Sequence, residues 1–364
     1  MTTAADAPRM PGDITVEWVT HVLRAAHVLD DVNAVTLVTI ESIGDLGGVN
    51  GEAYRVRLEY AATTDAPRSL VAKFPTNREG GRGVAAFQRW YHREVAFYAT
   101  LAAELPASPA LRTPRCYAAS IDLDGEYVLL LEDLRPARQG DQIAGCTLDE
   151  ARAAIDGAAR LHAHWWNAPP PVSDTMPETT IGLDRAVRVQ GALDRVWTRT
   201  RDTVGLPARV AADIPRLVEG YVPLLQRMAS APVTVVHGDY RLDNLFFDEA
   251  GVGAIDWQFI CRARGMVDIG YFLGLDLDPA LRRAHERELV AGYVAALRSR
   301  GVEGYDEQAA WDDYRRALLL GFAVFLIGAA GTQPNERMVR VHEVGLARLA
   351  AAIEETEAFA VLDA

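Results

Sequence analysis

The segment Val233-Thr-Val-Val-His237-Gly-Asp239-Tyr-Arg-Leu-Asp243-Asn244-Leu-Phe-Phe-Asp248-Glu-Ala-Gly251-Val-Gly-Ala-Ile-Asp256-Trp257-Gln258 is the most informative part of the chain. An apolar strand runs into a polar loop, and two short apolar strands then fold about Asp248 to Gly251, whose composition marks a turn. With that turn centred between residues 249 and 250, antiparallel pairing sets Asn244 opposite residue 255, beside Asp256. Two polar residues distant in sequence are thereby expected side by side. An amide and a carboxylate at one end of a hairpin, with Asp239 in the preceding loop, form a hard-oxygen cluster of the kind that Mg²⁺ prefers.

Upstream, the pattern has the period of a sheet. In Tyr54-Arg-Val-Arg-Leu-Glu-Tyr60 the apolar residues 54, 56, 58 and 60 share one face, which predicts a strand. Val35 to Ile43 is a second β-rich run, joined to the first by Gly44-Asp-Leu-Gly-Gly-Val-Asn-Gly51, a glycine-rich hairpin that permits close backbone approach. A third strand, Leu70-Val-Ala-Lys73-Phe74, ends at Pro75 and carries the only lysine of this first lobe. The pattern from Phe87 to Leu105 is helical, with residues 87, 91, 94, 98, 101 and 105 on one stripe, all apolar or aromatic except Glu94. A carboxylate on a buried stripe needs a partner, and Lys73 is the candidate. Tyr127 to Leu131 is a further strand, after which Glu132-Asp-Leu134 leads into a Gly- and Pro-containing connection. A β-rich lobe, 1–134, is therefore expected to precede a mainly helical lobe, 135–364.

The helical lobe opens with Thr147-Leu-Asp-Glu150, a capping box, and its first helix runs to about Asn167, where Ala-Pro-Pro-Pro stops it. Further helices are expected over 207–229, 279–300, 306–330 and 334–358. The uncharged stretch Ala317 to Gly331 spans about fifteen residues, short of the ~20 that cross a bilayer, and reads as a buried core helix. His162 and His164 diverge by about 200° on a helix, so packing or acceptor contact is expected rather than a shared metal. Trp165 and Trp166 read as core. Arg241 and Asp243 lie where they reach acceptor or phosphates, or stay solvated.

Composition narrows the classes. With 364 residues, 50 acidic against 37 basic side chains and a net charge of −13, about two domains are expected and nucleic acid is a poor partner. Hydrophobic residues at 49% suffice for a sizeable core, which excludes global disorder. Cys116, Cys146 and Cys261 form no ligand pair or even framework, so reduced thiols are expected and structural zinc is not. The start, Met1-Thr-Thr-Ala-Ala-Asp-Ala-Pro, lacks the basic and apolar regions of a secretory signal, which leaves the cytoplasm by elimination. No heptad seam assigns an oligomeric state.

His237-Gly-Asp239-x-x-x-x-Asn244 followed by Ile255-Asp256-Trp257 resembles the catalytic and metal-binding signatures of kinase-like small-molecule phosphotransferases. The glycine-rich hairpin, Val71-Ala-Lys73, Glu94, Leu129-Leu-Leu-Glu-Asp-Leu134 and Asp268 follow in that superfamily's order, so the resemblance covers about residues 35 to 275. Within it the chain is similar to aminoglycoside phosphotransferases and choline kinase-like enzymes, and looks closest to the ecdysteroid-kinase-like branch through its Leu-Leu-Leu-Glu-Asp-Leu and Asp-Trp-Gln sequences.

The resemblance implies an α+β, two-lobed protein-kinase-like fold, with an antiparallel sheet and one main helix in the first lobe and a larger helical second lobe. It implies transfer of the γ-phosphoryl group of ATP, with Mg²⁺, to a hydroxyl of an aminoglycoside-like, amino alcohol or steroid- or lipid-like acceptor. By motif position Asp239 is the catalytic carboxylate, Asn244 and Asp256 are the metal ligands, and Lys73 clamps phosphate while Glu94 holds it. Gly47, Gly48 and Gly51 are assigned to phosphate, the backbone of Glu132 and Leu134 to adenine, and Asp268 to support of the catalytic loop. Position 238 is Gly where protein kinases carry Arg, and Trp257 stands where they have Phe. Only eleven residues separate Asp256 from Asp268, too few for a phosphorylated activation segment, which favours a small acceptor. A nucleotide-binding regulator without turnover and a nucleotidyltransferase are the alternative readings.

Overall fold

Alternating apolar residues in the N-terminal third build an antiparallel sheet. The computed structural model describes residues 7–43, 51–76, 82–83, 85, 88–105, 111–331 and 335–363. By its contacts the chain divides into two units, Met1–Pro106 with Thr113–Pro136, and Ala107–Arg112 with Ala137–Ala364.

In the first unit α1 (Val16–Ala25) precedes β1 (Val35–Ser42), β2 (Gly51–Tyr60) and β3 (Ser69–Pro75). Ile40 faces Val56 across the β1–β2 pair, and Ala53 faces Lys73 across β2–β3. Val56 and Leu58 are buried on the face expected from their period, with Tyr54 and Tyr60 packed at its margin. Helix α1, unanticipated in the sequence, is capped by the Thr15 side chain and drives Trp18, Val19, Val22 and Leu23 into the same core.

Helix α2 (Trp90–Ala99) is shorter than expected. Arg89, at φ 56°, adopts a left-handed conformation that cannot continue a right-handed helix, and Thr100 leaves helical geometry at the other end. Leu101 therefore falls in a 3₁₀ turn beyond the helix, and Phe87 lies outside the described residues. The two-residue strand β4 (Leu111–Arg112) belongs to the other unit, whereas β5 (Cys116–Ile121) and β6 (Tyr127–Glu132) complete a sheet of order β1-β2-β3-β6-β5.

The second unit continues with β7 (Arg138–Gln139), α3 (Leu148–His164), α4 (Ala186–Thr200), α5 (Ala208–Met228), β8 (Thr234–Val236), β9 (Leu245–Asp248), β10 (Gly251–Ala254) and β11 (Cys261–Ala263). It ends with α6 (Met266–Asp276), α7 (Pro279–Ser299), α8 (Glu307–Ala329) and α9 (Glu336–Glu355). The capping box of α3 is formed, with Glu150 N–H donating to Thr147 Oγ1 at 3.2 Å and Thr147 N–H to Glu150 Oε2 at 2.9 Å.

Helices α4 and α6 were not foreseen. Helix α6 buries Met266, Ile269, Phe272, Leu273 and Leu275 around its circumference, so it has no polar face to reveal a helical period. It lies against α8, whose Ala317 to Phe322 are buried as the uncharged stretch suggested. Among the described residues no helix is long and apolar enough to cross a membrane.

Candidate active site

The hairpin has the register read from its turn. Gly251 pairs with Asp248 and Ala254 with Leu245, and Ile255 N–H donates to Asn244 O at 3.0 Å. Asn244 and Asp256 thus flank the end of one two-stranded ribbon. Asn244 is buried, and its Nδ2 donates at 2.9 Å to both the backbone oxygen and Oδ2 of Asp239. Asp256 has left-handed geometry, φ 68°, and its Oδ2 accepts from Gln258 Nε2 at 3.1 Å. Trp257 is fully buried, donating Nε1–H to Ala254 O at 3.1 Å with its ring 4.5 Å from that of His237.

Hydrogen bonds fix the loop around Asp239. His237 Nε2 lies 2.9 Å from Ile255 O and therefore carries the proton, so Nδ1 accepts from Asp239 N–H at 3.2 Å. Asp268 accepts from His237 N–H at 2.7 Å and Gly238 N–H at 2.8 Å, the loop-supporting place expected for it. Its third partner is His162 Nε2 at 3.1 Å, and His162 Nδ1 in turn accepts from Tyr293 Oη–H at 2.8 Å. His162 is accordingly a buried support, not a metal ligand shared with His164. Gly238 has φ 80°, and a Cβ there would strike the Phe259 carbonyl, which explains why no Arg follows the histidine.

Asp239 also holds charged partners that the sequence did not place. Arg241 Nε lies 3.1 Å from both carboxylate oxygens of Asp239, while its Nη1 donates to Gln142 Oε1 at 3.0 Å and Asp243 Oδ2 at 3.2 Å. Arg337, from α9, reaches Asp243 at 2.7 and 2.9 Å and Asp141 at 3.3 Å. Asp243 is thus no solvated loop charge. Burial works to raise its carboxyl, but hydrogen bonds from Arg337 and the charge of Arg241 outweigh that and hold it below the ordinary range.

Burial lowers and the charges of Asp239 and Asp243 raise the Arg241 guanidinium, with a net rise. Tyr271 lies near Asp239, and its phenol is pushed well up by burial and then by that negative charge. Asp276 sits at the back of the loop, accepting from Leu242 N–H at 3.1 Å, and burial drives its carboxyl well above the usual range.

In the first unit, Lys73 Nζ and Glu94 Oε1 are 2.5 Å apart, with Glu94 almost wholly buried. Lys73 is the only lysine in the whole chain. Glu132 N–H donates to Arg115 O at 2.8 Å, its Oε2 accepts from Arg115 N–H at 3.0 Å, and Leu134 is buried two residues on. Gly51 opens β2, where a Cβ would lie 3.0 Å from the Tyr127 hydroxyl. Gly47 and Gly48 lie outside the described residues.

Residues 54–312 match the model of the phosphotransferase enzyme family, APH. The chain belongs to that family. A homoserine kinase of Phenylobacterium zucineum is 33% identical over 162 residues, 41% of this chain and 43% of that protein, so the chain aligns with less than half of this curated relative. A GDP complex of an aminoglycoside 2'-phosphotransferase variant superposes with a TM-score of 0.55 at 14% identity, covering 95% of this chain and 98% of that one. A choline/ethanolamine kinase family protein from Mesorhizobium loti gives 0.51 at 15% identity, over 89% and 92%. What is shared at such identities is the protein-kinase-like α+β fold.

Proposed function

We propose that the chain transfers the γ-phosphoryl group of ATP, with Mg²⁺, to a hydroxyl of a small molecule. The observation that carries this reading is the loop in which Asp239, Asn244 and the end of the Asn244–Asp256 hairpin meet, in a chain that belongs to a phosphotransferase family. Asp239 would orient the acceptor hydroxyl and take up its proton, and Lys73, oriented by Glu94, would hold the nucleotide phosphates. Gly51 and the backbone of Glu132 and Leu134 remain the assignments for phosphate and adenine, by motif position.

The donor set fits Mg²⁺. Asn244 commits Nδ2 to Asp239, which leaves its carbonyl oxygen outside that pair, and Asp256 supplies a carboxylate. Mg²⁺ takes few protein oxygens and completes its shell with phosphate and water. When bound, the ion would neutralise phosphate charge.

The narrower likeness to the ecdysteroid-kinase-like branch rests on Leu129–Leu134 and Asp256-Trp257-Gln258 alone. One observation favours nucleotide binding without turnover: Arg241 already engages both oxygens of Asp239. Acceptor-dependent ADP release separates the readings. It is expected to require Mg²⁺ and to fall by roughly 10²–10⁴ in Asp239→Asn, the range for a removed acid–base group. Undiminished transfer in that variant would overturn the assignment, and pyrophosphate in place of ADP would make the chain a nucleotidyltransferase.

A further inference from the structure

Helix α9 sends two arginines to the neighbourhood of the catalytic loop. Asn335 caps the helix by accepting Met338 N–H at 2.9 Å, and Met338, Val341, Leu346 and Leu349 seat it in the core. Arg348 is thereby held against the segment before α3, donating Nη1–H to Gln142 O at 2.7 Å and Nη2–H to Ile143 O at 3.0 Å. Arg337, the second residue of the helix, meets Asp243 through two parallel bonds, Nη1 to Oδ2 at 2.7 Å and Nη2 to Oδ1 at 2.9 Å. A forked pair of this kind is among the stronger charge-assisted contacts.

Charge carries the effect of this pair beyond α9. Arg241 stands between two carboxylates, its Nε 3.1 Å from both oxygens of Asp239 and its Nη1 3.2 Å from Asp243 Oδ2. The side chains of Asp239 and Asp243 are only 11% and 6% exposed, so solvent screens their charges little. Two guanidiniums balance these two carboxylates, and Asp141, 55% exposed and 3.3 Å from Arg337, draws on that balance only weakly. Without Arg337, Asp243 would keep Gln142 N–H, at 2.9 Å, and a share of Arg241. A buried carboxylate short of a partner is costly, so Arg241 would be drawn toward Asp243 and away from Asp239.

We propose that Arg337 is a positioning residue for phosphoryl transfer: by neutralising Asp243 it keeps Arg241 on Asp239, and so fixes the carboxylate that receives the acceptor's proton. This rests on the phosphotransferase reading. In that reaction the acceptor oxygen forms a bond to the γ-phosphorus, the bond to the β,γ-bridging oxygen breaks, the hydroxyl proton passes to Asp239, and ADP departs. Arg337 enters none of these steps and acts only through Asp243 and Arg241.

The test compares the parent with Arg337→Met, Arg337→Lys and the double variant Arg337→Met/Asp243→Asn. One measurement is the Nε–H resonance of Arg241 in protein labelled with ¹⁵N-arginine, assigned by its loss in Arg241→Lys. The other is ADP release from ATP and Mg²⁺ with water as the acceptor. In Arg337→Met the resonance should move and kcat should fall roughly 10- to 100-fold, the scale on which a misplaced reacting group is felt, with KM for ATP unchanged. Arg337→Lys, which keeps the charge, should lose less. The double variant removes the competing carboxylate, so both the resonance and most of the lost turnover should return, which repair of a merely structural contact would not give. An unmoved resonance, turnover that is unchanged or raised in Arg337→Met, or a double variant as slow as the single one overturns the proposal. A resonance that moves and returns in a chain that never releases ADP keeps Arg337 as the group that places Arg241, and removes the phosphotransferase reading.

Discussion

Asp276 combines two roles that pull in opposite directions: its Oδ2 holds Leu242 N–H, and burial drives its carboxyl toward the protonated form. A carboxyl raised on folding binds its proton more tightly in the native state, so its contribution to stability is full below the unfolded value near 4 and is lost as pH rises through the folded one. Asn at this position keeps an acceptor oxygen for Leu242 and does not titrate. Asp276→Asn should therefore gain in melting temperature over the parent as pH rises from about 5 to about 9, and parallel curves would refute this. Lys73 offers a second check at the same scale, because no other lysine competes with it. An acyl phosphate of ATP should acylate Lys73, read by peptide mass mapping, and excess ATP should suppress the label. Label that ATP does not suppress would separate Lys73 from nucleotide.

Among the elements, α6 carries the most consequence, since it supplies Asp268 beneath the loop, Tyr271 beside Asp239 and Asp276 behind Leu242. Its distance from α8 is set at Gly270, where a Cβ would lie 2.5 Å from that of Ala317. Gly270→Ala must push the helices apart, and overpacking of this kind costs about 1–3 kcal/mol. Urea unfolding should show that loss, and kcat should fall with it, because α6 carries Asp268 and Asp276, which hold the loop. Unchanged stability would mean that the helices have room to spare.

For the molecule as a whole, ligand linkage offers the cleanest measurement. A nucleotide held at 100 times its dissociation constant stabilises the native state by about 2.7 kcal/mol. The melting temperature should rise with ATP and Mg²⁺, and EDTA should remove the metal-dependent part of the rise. Asn244→Ala and Asp256→Ala should lose that same part while keeping the metal-independent shift. A full shift in both variants would place the metal elsewhere.

Much of the site was legible because its signals are local. The turn Asp248 to Gly251 sets the register that brings Asn244 to residue 255, and the stripe in α2 turns Glu94 inward toward Lys73. Strand period, the capping box at Thr147 and the order of motifs likewise need only neighbouring residues. The arginine that α9 brings to Asp243 left no such trace. Arg337 lies 94 positions from Asp243, and only the packing of α9 brings them together. Helix α6, buried on every side, shows no periodic face. Sequence by itself determined the family pattern and the hairpin that positions Asn244 and Asp256, since backbone pairing propagates a register residue by residue. The tertiary structure alone decided that Arg337 joins Arg241 on Asp243, because Arg337 meets that carboxylate through the packing of α9 rather than through spacing.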